Sequence, residues 1–397
     1  MGKKGRIGIL TGGGDVPGLN PAIRAVTVRA LSEGYDVVGI RRGWAGLVEL
    51  VREDGADNSE WVLPLTRELV EREAYTGGTF LHSSRTRPSA VPLKEVPAHA
   101  RDRYSAEKND LTPEVLASLE YLGVDALVPM GGDDTLSYGV ELGRAGFPVV
   151  ALPKTMDNDV PGTDYCMGFG TCVSRTIQLA RQVVSSAASH ERIVVLEVFG
   201  RYAGFTALLP TFAGAAQRCV IPEHPFSIER LAELLVADRN ANPDRLAVCL
   251  VSEGAAPEGG EMSFAGGERD QYGHAKLGGI GDQVSKAVKE LSPRFNDGRK
   301  IDMISMNLGY LVRSGAPDAI DCIVPTAYGN LAVDLLLRGE TGRMVALRDG
   351  RYGSVPIDEV IATKKVVDVK RYYDTERYRP RYTALELSPM LVLGGVS

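Results

Sequence analysis

The sequence predicts an α/β protein built on mostly parallel sheets, and three observations predict it. Short apolar runs bounded by glycine alternate with amphipathic stretches, the pattern of repeated strand–helix–strand units. Two of those runs end in glycine-rich loops that open into helical patterns, where parallel sheets place their ligands. The 397 residues exceed one ordinary core and imply two domains.

In chain order, residues 7–11 read as the first strand, followed by a glycine-rich loop and a helix over 20–32. A strand at 37–40 comes next. A helix over 113–122 leads into a strand at 126–130, a second glycine loop, a helix from about 136 to 144 and a strand at 148–152. The pattern continues with a helix over 173–188, a strand at 192–197, helices over 202–212 and 228–237, and a strand at 246–252. Residues 255–273 are polar and glycine-rich and read as a flexible loop. A helix over 280–291 and a strand at 302–307 follow. The stretch 328–337 carries Leu331, Val333, Leu335 and Leu336 at helical spacing, so it packs one face on a sheet. The tail from Lys364 is charged, then apolar, and reads as a peripheral extension.

The bulk chemistry narrows the function classes. A net charge of -6 gives no reason to expect nucleic acid or an anionic membrane, so any site for anionic substrates must be locally basic. The five cysteines are scattered and form no C-x-x-C pair; they read as buried thiols of a reducing compartment. Residues 1–6 are basic with no apolar run behind them, and no eighteen-residue apolar stretch occurs, so neither a signal peptide nor a membrane span is expected.

Three motifs carry chemistry. Gly12-Gly13-Gly14-Asp15 joins a strand to a helix, where bare backbone amides and a helix N-terminus suit an anion; a plain tight turn explains it equally well. It lacks both the Walker ending and the dinucleotide glycine spacing. Gly131-Gly132-Asp133-Asp134 sits in the same context. Two carboxylates there would repel a phosphate unless a divalent cation lies between them, or one of them simply caps the helix. Lys154-Thr155-Met156-Asp157-Asn158-Asp159 offers a base for an attacking hydroxyl and a cation for a moving phosphoryl group, although D-N-D is also turn chemistry. Arg85, Arg87, Arg192, Arg201 and Arg313 lie near strand ends. Each alone is a surface charge; together with the acidic motifs they suggest a site for two anionic substrates.

Those stretches, with Gly77-Gly-Thr-Phe80, Glu197-Val-Phe-Gly-Arg-Tyr-Ala-Gly204 and Ser252-Glu-Gly254, resemble the phosphofructokinase family in order and spacing over about residues 5–360. The resemblance implies two three-layer α/β domains with mostly parallel sheets and an active site in the cleft between them. It assigns 1–168 plus 312–362 to a donor domain, 169–311 to a sugar-phosphate domain, and leaves 363–397 as an extension. It further implies that Asp157 takes the proton from a sugar 1-hydroxyl, that Thr155 and Asp159 position the sugar, and that Asp133 holds Mg²⁺ with Gly13 and Arg85 at the donor end. Arg201, with Phe199 and Gly200, would meet the sugar and the transferred phosphate. Glu253 would bond sugar hydroxyls, Tyr310 and Arg313 the 6-phosphate, and Arg192 the 6-phosphate of a neighbouring subunit. A homodimer or homotetramer, fructose 6-phosphate as acceptor, and a cytoplasmic, glycolytic setting follow.

Asp134 and Lys154 bear on the donor. Members that use ATP typically carry glycine at the first position and often at the second; members that use pyrophosphate resemble this chain. A carboxylate at 134 fills the space of a nucleotide's α-phosphate, and Lys154 can bind pyrophosphate oxygens. Arg41, near the nucleotide base in ATP-using relatives, fits a site without adenine or a plain surface role. One departure stands out: Ile304 occupies a position where the family carries an arginine for the 6-phosphate. Lys300 is a possible substitute, and another acceptor such as sedoheptulose 7-phosphate enters consideration. A non-catalytic phosphosugar-binding protein would have lost Asp133 or Asp157, and a dehydrogenase would need a different glycine spacing.

Overall fold

The strand Arg6–Thr11 is buried along almost its whole length, as a parallel strand covered on both faces must be. A computed structural model describes residues 4–260, 264–269, 275–277, 279–383, 385–386 and 394–396. The chain divides into two units, Met1–Thr155 with Val160–Gly168 and Ser314–Thr363, and Met156–Asp159 with Phe169–Arg313 and Lys364–Ser397.

The first unit holds a seven-stranded sheet in the order Arg351–Pro356, Arg343–Arg348, Val150–Pro153, Ala126–Gly131, Arg6–Thr11, Asp36–Ile40, Val62–Pro64. The interior pairings are parallel; the first and last strands run antiparallel. From Arg6–Thr11 the chain winds one way to Asp36–Ile40, and Ala126–Gly131 winds the other way to Val150–Pro153. The switch point therefore lies between Arg6–Thr11 and Ala126–Gly131, and both glycine loops leave from its carboxyl edge.

Among the helices that differ from the sequence reading, two bear on the first unit's loops and core. Asp133–Arg144 begins three residues early, with Gly132 as its N-cap and no side-chain cap, so neither Asp133 nor Asp134 caps it. Ala319–Leu337 is twice the expected length because Pro325 stands inside it rather than ending it. Asp318 starts that helix by accepting from the Asp321 amide at 2.8 Å. By length and composition this helix passes for a membrane span. In the fold it is a core element: Gly329 rests against Ala22, Ala25 and Val26 of the helix Leu19–Ser32. The fully buried Asp321 accepts from Tyr165 Oη (2.8 Å) and the Gly168 amide (2.7 Å).

The second unit holds four parallel strands in the order Met303–Asn307, Ile193–Val198, Ala247–Ser252, Arg218–Val220. Ser252 lies opposite Val198 in register. All five cysteines are free thiols, four of them buried. Within the expected loop 255–273, residues Phe264–Arg269 instead form a strand antiparallel to Ala275–Leu277; 261–263 and 270–273 lie outside the described residues. Residues from Lys364, read as peripheral, belong to the second unit. Tyr373 Oη donates to Cys219 O at 2.7 Å, the Cys219 amide donates to Tyr378 O at 2.8 Å, and both tyrosines are buried. Alternating charge had hidden this, because two aromatic anchors suffice to dock a short segment. Parts of the tail's apolar end, 387–393 and Ser397, lie outside the described residues.

Asp321→Ala strips the acceptor from two interior donors. The expected loss is about 2–4 kcal/mol of stability, read as a lower urea midpoint; an unchanged midpoint contradicts the role given to Asp321.

Candidate active site

Residues of the first unit that the sequence reading assigned to a phosphate donor gather where Arg6–Thr11 and Ala126–Gly131 end. The turn after Arg6–Thr11 is tied down on several sides. The Gly12 amide donates to Met130 O (3.0 Å) and the Gly13 amide to Ser84 O (2.8 Å), while Ser83 Oγ donates to Gly13 O at 2.5 Å. Thus at most the Gly14 amide among the three glycines is open to an anion, which corrects the idea of a three-amide cradle. The glycines are needed for a different reason: a β-carbon on Gly12 would lie 2.4 Å from Thr135 Oγ1, and one on Gly131 2.3 Å from Thr135 Cβ. Gly13 also has a left-handed φ of 77°. Lys154 is buried, and its ammonium donates to Gly14 O at 2.5 Å, so a cation is built into the turn itself.

Asp133 and Asp134 are exposed in the first turn of Asp133–Arg144, where the helix N-terminus favours negative charge. Trp44 steadies that turn: its Nε1 donates to Thr135 O at 3.2 Å, and its ring meets Tyr138 edge-on at 4.7 Å. Arg85 is half-buried, next to the serines that brace Gly13. Arg87 is exposed and paired with Glu141, so it reads as surface charge. Arg41 donates to His82 Nε2 at 2.7 Å. His82 Nε2 must then be the acceptor; burial and the charges of Arg41 and Arg42 hold that imidazole below its usual range, neutral.

Residues that the sequence reading assigned to the sugar lie at the carboxyl ends of the second unit's strands. Phe199, Gly200 and Arg201 follow Ile193–Val198, and Glu253 follows Ala247–Ser252, its amide donating to Val198 O at 2.9 Å. The crossing is tight: a β-carbon on Gly254 would fall 1.9 Å from Arg201 O. Thr206 Oγ1 closes the loop by donating to Phe199 O. Asp157 lies in this unit with its Oδ2 3.5 Å from the Arg201 amide. Between Asp157 and the half-buried Asp159, Asn158 turns through a left-handed φ of 56°. Arg313 sits over the rings of Tyr310 (5.0 Å) and Phe199 (6.0 Å). It ends a short helix, Gly309–Arg313, rather than following a strand.

Several carboxyls crowd together here. Burial pushes Asp157 well above the usual carboxylate range, and repulsion from Asp159 and Glu253 adds to it; the amide and charge of Arg201 pull the other way. Glu253 is pushed up to about 7, chiefly by burial, with Arg201 opposing and Glu197 adding. Glu197, itself raised by burial, accepts from the amides of Gly281 (2.8 Å) and Gly279 (3.3 Å) and from Asn307 Nδ2 (2.6 Å).

Most of the residues singled out from sequence fall into these two groups, Thr155 included as the half-buried last residue of its segment of the first unit. Arg192 does not. It precedes Ile193–Val198, so six residues at about 3.3 Å each separate it from the Arg201 end of that strand. Ile304 pairs with Val194 in the strand ladder, and the ammonium of Lys300, the suggested substitute, is exposed and paired with Glu290 at 2.8 and 3.0 Å. Sequence reading missed Thr135, Ser83, Ser84, Thr206 and Glu197. Glu197 and Thr135 lay inside recognised motifs, Thr135 as the last residue of Gly131–Thr135, but neither was given a role; the serines act on a turn seventy residues away in the chain, which no local spacing reveals.

The family model for phosphofructokinase matches residues 6–336. The pyrophosphate–fructose 6-phosphate 1-phosphotransferase of Amycolatopsis methanolica is 37% identical over 373 residues, 94% of this chain and 98% of that protein. The ATP-dependent 6-phosphofructokinase 3 of Streptomyces coelicolor is 36% identical over 372 residues, 94% of this chain and 99% of that one. The solved pyrophosphate-dependent phosphofructokinase from Marinobacter aquaeolei shares the fold, with a TM-score of 0.74 at 19% identity, covering 99% of this chain and 92% of that one.

Because Glu253 binds its proton more tightly folded than unfolded, its stabilisation is full below the ordinary carboxylate pKa and is lost as pH rises through about 7. Between pH 4.5 and 7.5 this group should remove roughly 3 kcal/mol. Glu253→Gln is expected to flatten that part of the stability–pH curve; an unaltered slope would show that the carboxyl is not held neutral.

Proposed function

The chain belongs to the phosphofructokinase family, and from that premise we propose that it transfers a phosphoryl group reversibly, with Mg²⁺, from pyrophosphate to the 1-hydroxyl of fructose 6-phosphate. The observation that carries the donor assignment is Lys154, a buried ammonium fixed to Gly14 O, combined with Asp134 beside Asp133. A compact point charge set in the turn suits a small, highly charged inorganic donor. A second carboxylate on the first turn disfavours the longer polyphosphate and base of a nucleotide.

Asp133 would hold Mg²⁺. Among the described residues no group of three His, Cys, Asp or Glu side chains gathers around a point. A lone exposed carboxylate pair fits a cation that takes most of its ligands from phosphate and water. Bound there, Mg²⁺ supplies positive charge to the phosphate oxygens as the group moves.

Asp157 serves as the base. Its burial and its acidic neighbours give the carboxylate a raised appetite for a proton, suited to an alcohol that becomes acidic only as it attacks. The sugar oxygen bonds to phosphorus, the bridging P–O bond of pyrophosphate breaks, orthophosphate leaves, and the proton rests on Asp157. Arg201 offsets charge on the transferred group, and Thr155 and Asp159 orient the sugar. Glu253, neutral below about pH 7, can donate as well as accept at a sugar hydroxyl. Arg313 with Tyr310 meets the 6-phosphate. Arg192 would reach that phosphate from a second copy, in a homodimer or homotetramer; with Ile304 uncharged, this contact matters more here.

The ATP-dependent relative of equal similarity keeps one rival donor in view. Assayed with Mg²⁺, the protein is expected to make fructose 1,6-bisphosphate from pyrophosphate and not from ATP; turnover with ATP alone overturns the donor assignment and leaves the family intact. Including sedoheptulose 7-phosphate in the assay identifies the acceptor. Asp157→Ser should keep the fold and lower kcat by about 10²–10⁴-fold, and near-wild-type turnover would remove Asp157 from the mechanism.

A further inference from the structure

The segment after Thr363 lies beyond the stretch matched by the family model, yet three of its residues, Lys364, Lys365 and Val367, reach the loop that bears Arg201 directly or through Glu223. Lys364 Nζ lies 5.8 Å from the centre of the Tyr202 ring, and Lys365 Nζ lies 5.6 Å from that of Phe205. The Val367 amide donates to Glu223 Oε1 at 2.8 Å. The same carboxylate accepts from the Gly204 amide, at 2.9 Å to Oε1 and 3.2 Å to Oε2. Gly204 is the N-cap of Phe205–Phe212, and no side chain of that cap supplies the acceptor. It can have no side chain: a β-carbon would lie 2.4 Å from Ile221 Cβ and 2.9 Å from Glu223 Oε2. Only Tyr202 and Ala203 separate Gly204 from Arg201. The loop's other fixings, Thr206 to Phe199 O and Gly254 against Arg201 O, come from within the family-matched core.

We propose that Glu223 is a positioning residue for the acceptor loop, joining the tail strand Lys365–Val367 to the amide at Gly204 and so fixing where the Arg201 side chain starts. The proposal rests on the reading that Phe199–Arg201 meets the sugar phosphate. Burial pushes the Glu223 carboxyl up, and the two donated amides oppose that shift, so the group and its donors stabilise one another. The distal anchors, Tyr373 on Cys219 O and Tyr378 on Ser227 N (2.8 Å), hold the tail to the strand Arg218–Val220 and the helix Ile228–Ala241 rather than to the loop. The tail thus has two functions in separate places: docking through its tyrosines, and aiming the loop through Lys364–Val367.

Glu223→Ala is expected to raise KM for fructose 6-phosphate about 10-fold, with KM for pyrophosphate within 2-fold of wild type. Glu223→Gln, whose amide oxygen can still accept both backbone bonds, should restore most of the loss. Hydrogen exchange at residues 199–206 should quicken in Glu223→Ala, a readout that needs no substrate and stands even if the donor or acceptor assignment fails. Where Glu223→Ala does not fold, the double variant Lys364→Ala/Lys365→Ala instead loosens the tail where it meets Tyr202 and Phe205, and the same two readouts, KM and exchange in that loop, should shift in the same direction. Equal changes in both KM values, no change in either, or failure of Glu223→Gln to rescue a folded protein would each overturn the proposal.

Discussion

Close approach of two backbones, with no room for a β-carbon, sets the terms for everything else in this chain. Thr135 occupies the space that side chains on Gly12 and Gly131 would need, and so locks two loops of the first unit onto one helix start. In the second unit the Arg201 carbonyl sits where a side chain on Gly254 would begin. A third crossing, Gly77 with its missing β-carbon 2.3 Å from Gly315 O, pins the segment that carries Arg85. Such contacts are steric before they are chemical. They fix the polar groups to within the tolerance that hydrogen bonds at 2.5–3.0 Å demand.

The two units handle charge in opposite ways. In the first, a buried cation is satisfied by a backbone carbonyl, and the carboxylates stay at the surface on a helix N-terminus, where solvent and the helix both favour ionisation. In the second, Asp157, Asp159 and Glu253 are half-buried beside one another, and the carboxyls of Asp157 and Glu253 resist ionisation. One half is suited to holding anions and cations in register, the other to receiving a proton. This division matches phosphoryl transfer, which asks the protein chiefly for placement and field.

Much of this was readable in the chain. The strands 126–130 and 246–252 and the helix 280–291 stand almost where apolar periodicity puts them, because covered parallel strands leave an unbroken apolar run between glycines. Helix starts were less legible: the stretch 328–337 is only the second half of a helix that runs through Pro325 and packs Gly329 on its neighbour, and Asp133 looks like a cap although Gly132 holds that position. The glycine triplet was legible as a ligand loop but not the reason for it. Its partners, Ser83, Ser84 and Thr135, are small polar residues without a spacing signature, and only the folded chain brings them to the turn. The tail was illegible for a related reason, since two tyrosines and one backbone amide dock it.

Met156–Asp159 belongs with the second unit although the residues on both sides of it belong to the first. A gene fragment spanning only residues 169–313 would therefore inherit Arg201, Arg313 and Glu253 but not Asp157, which we propose as the base. The two halves are not interchangeable modules. Recombination that exchanged only the continuous stretch 169–313 would leave Asp157 and Asp159 behind, because the second unit is assembled from three separate stretches of sequence.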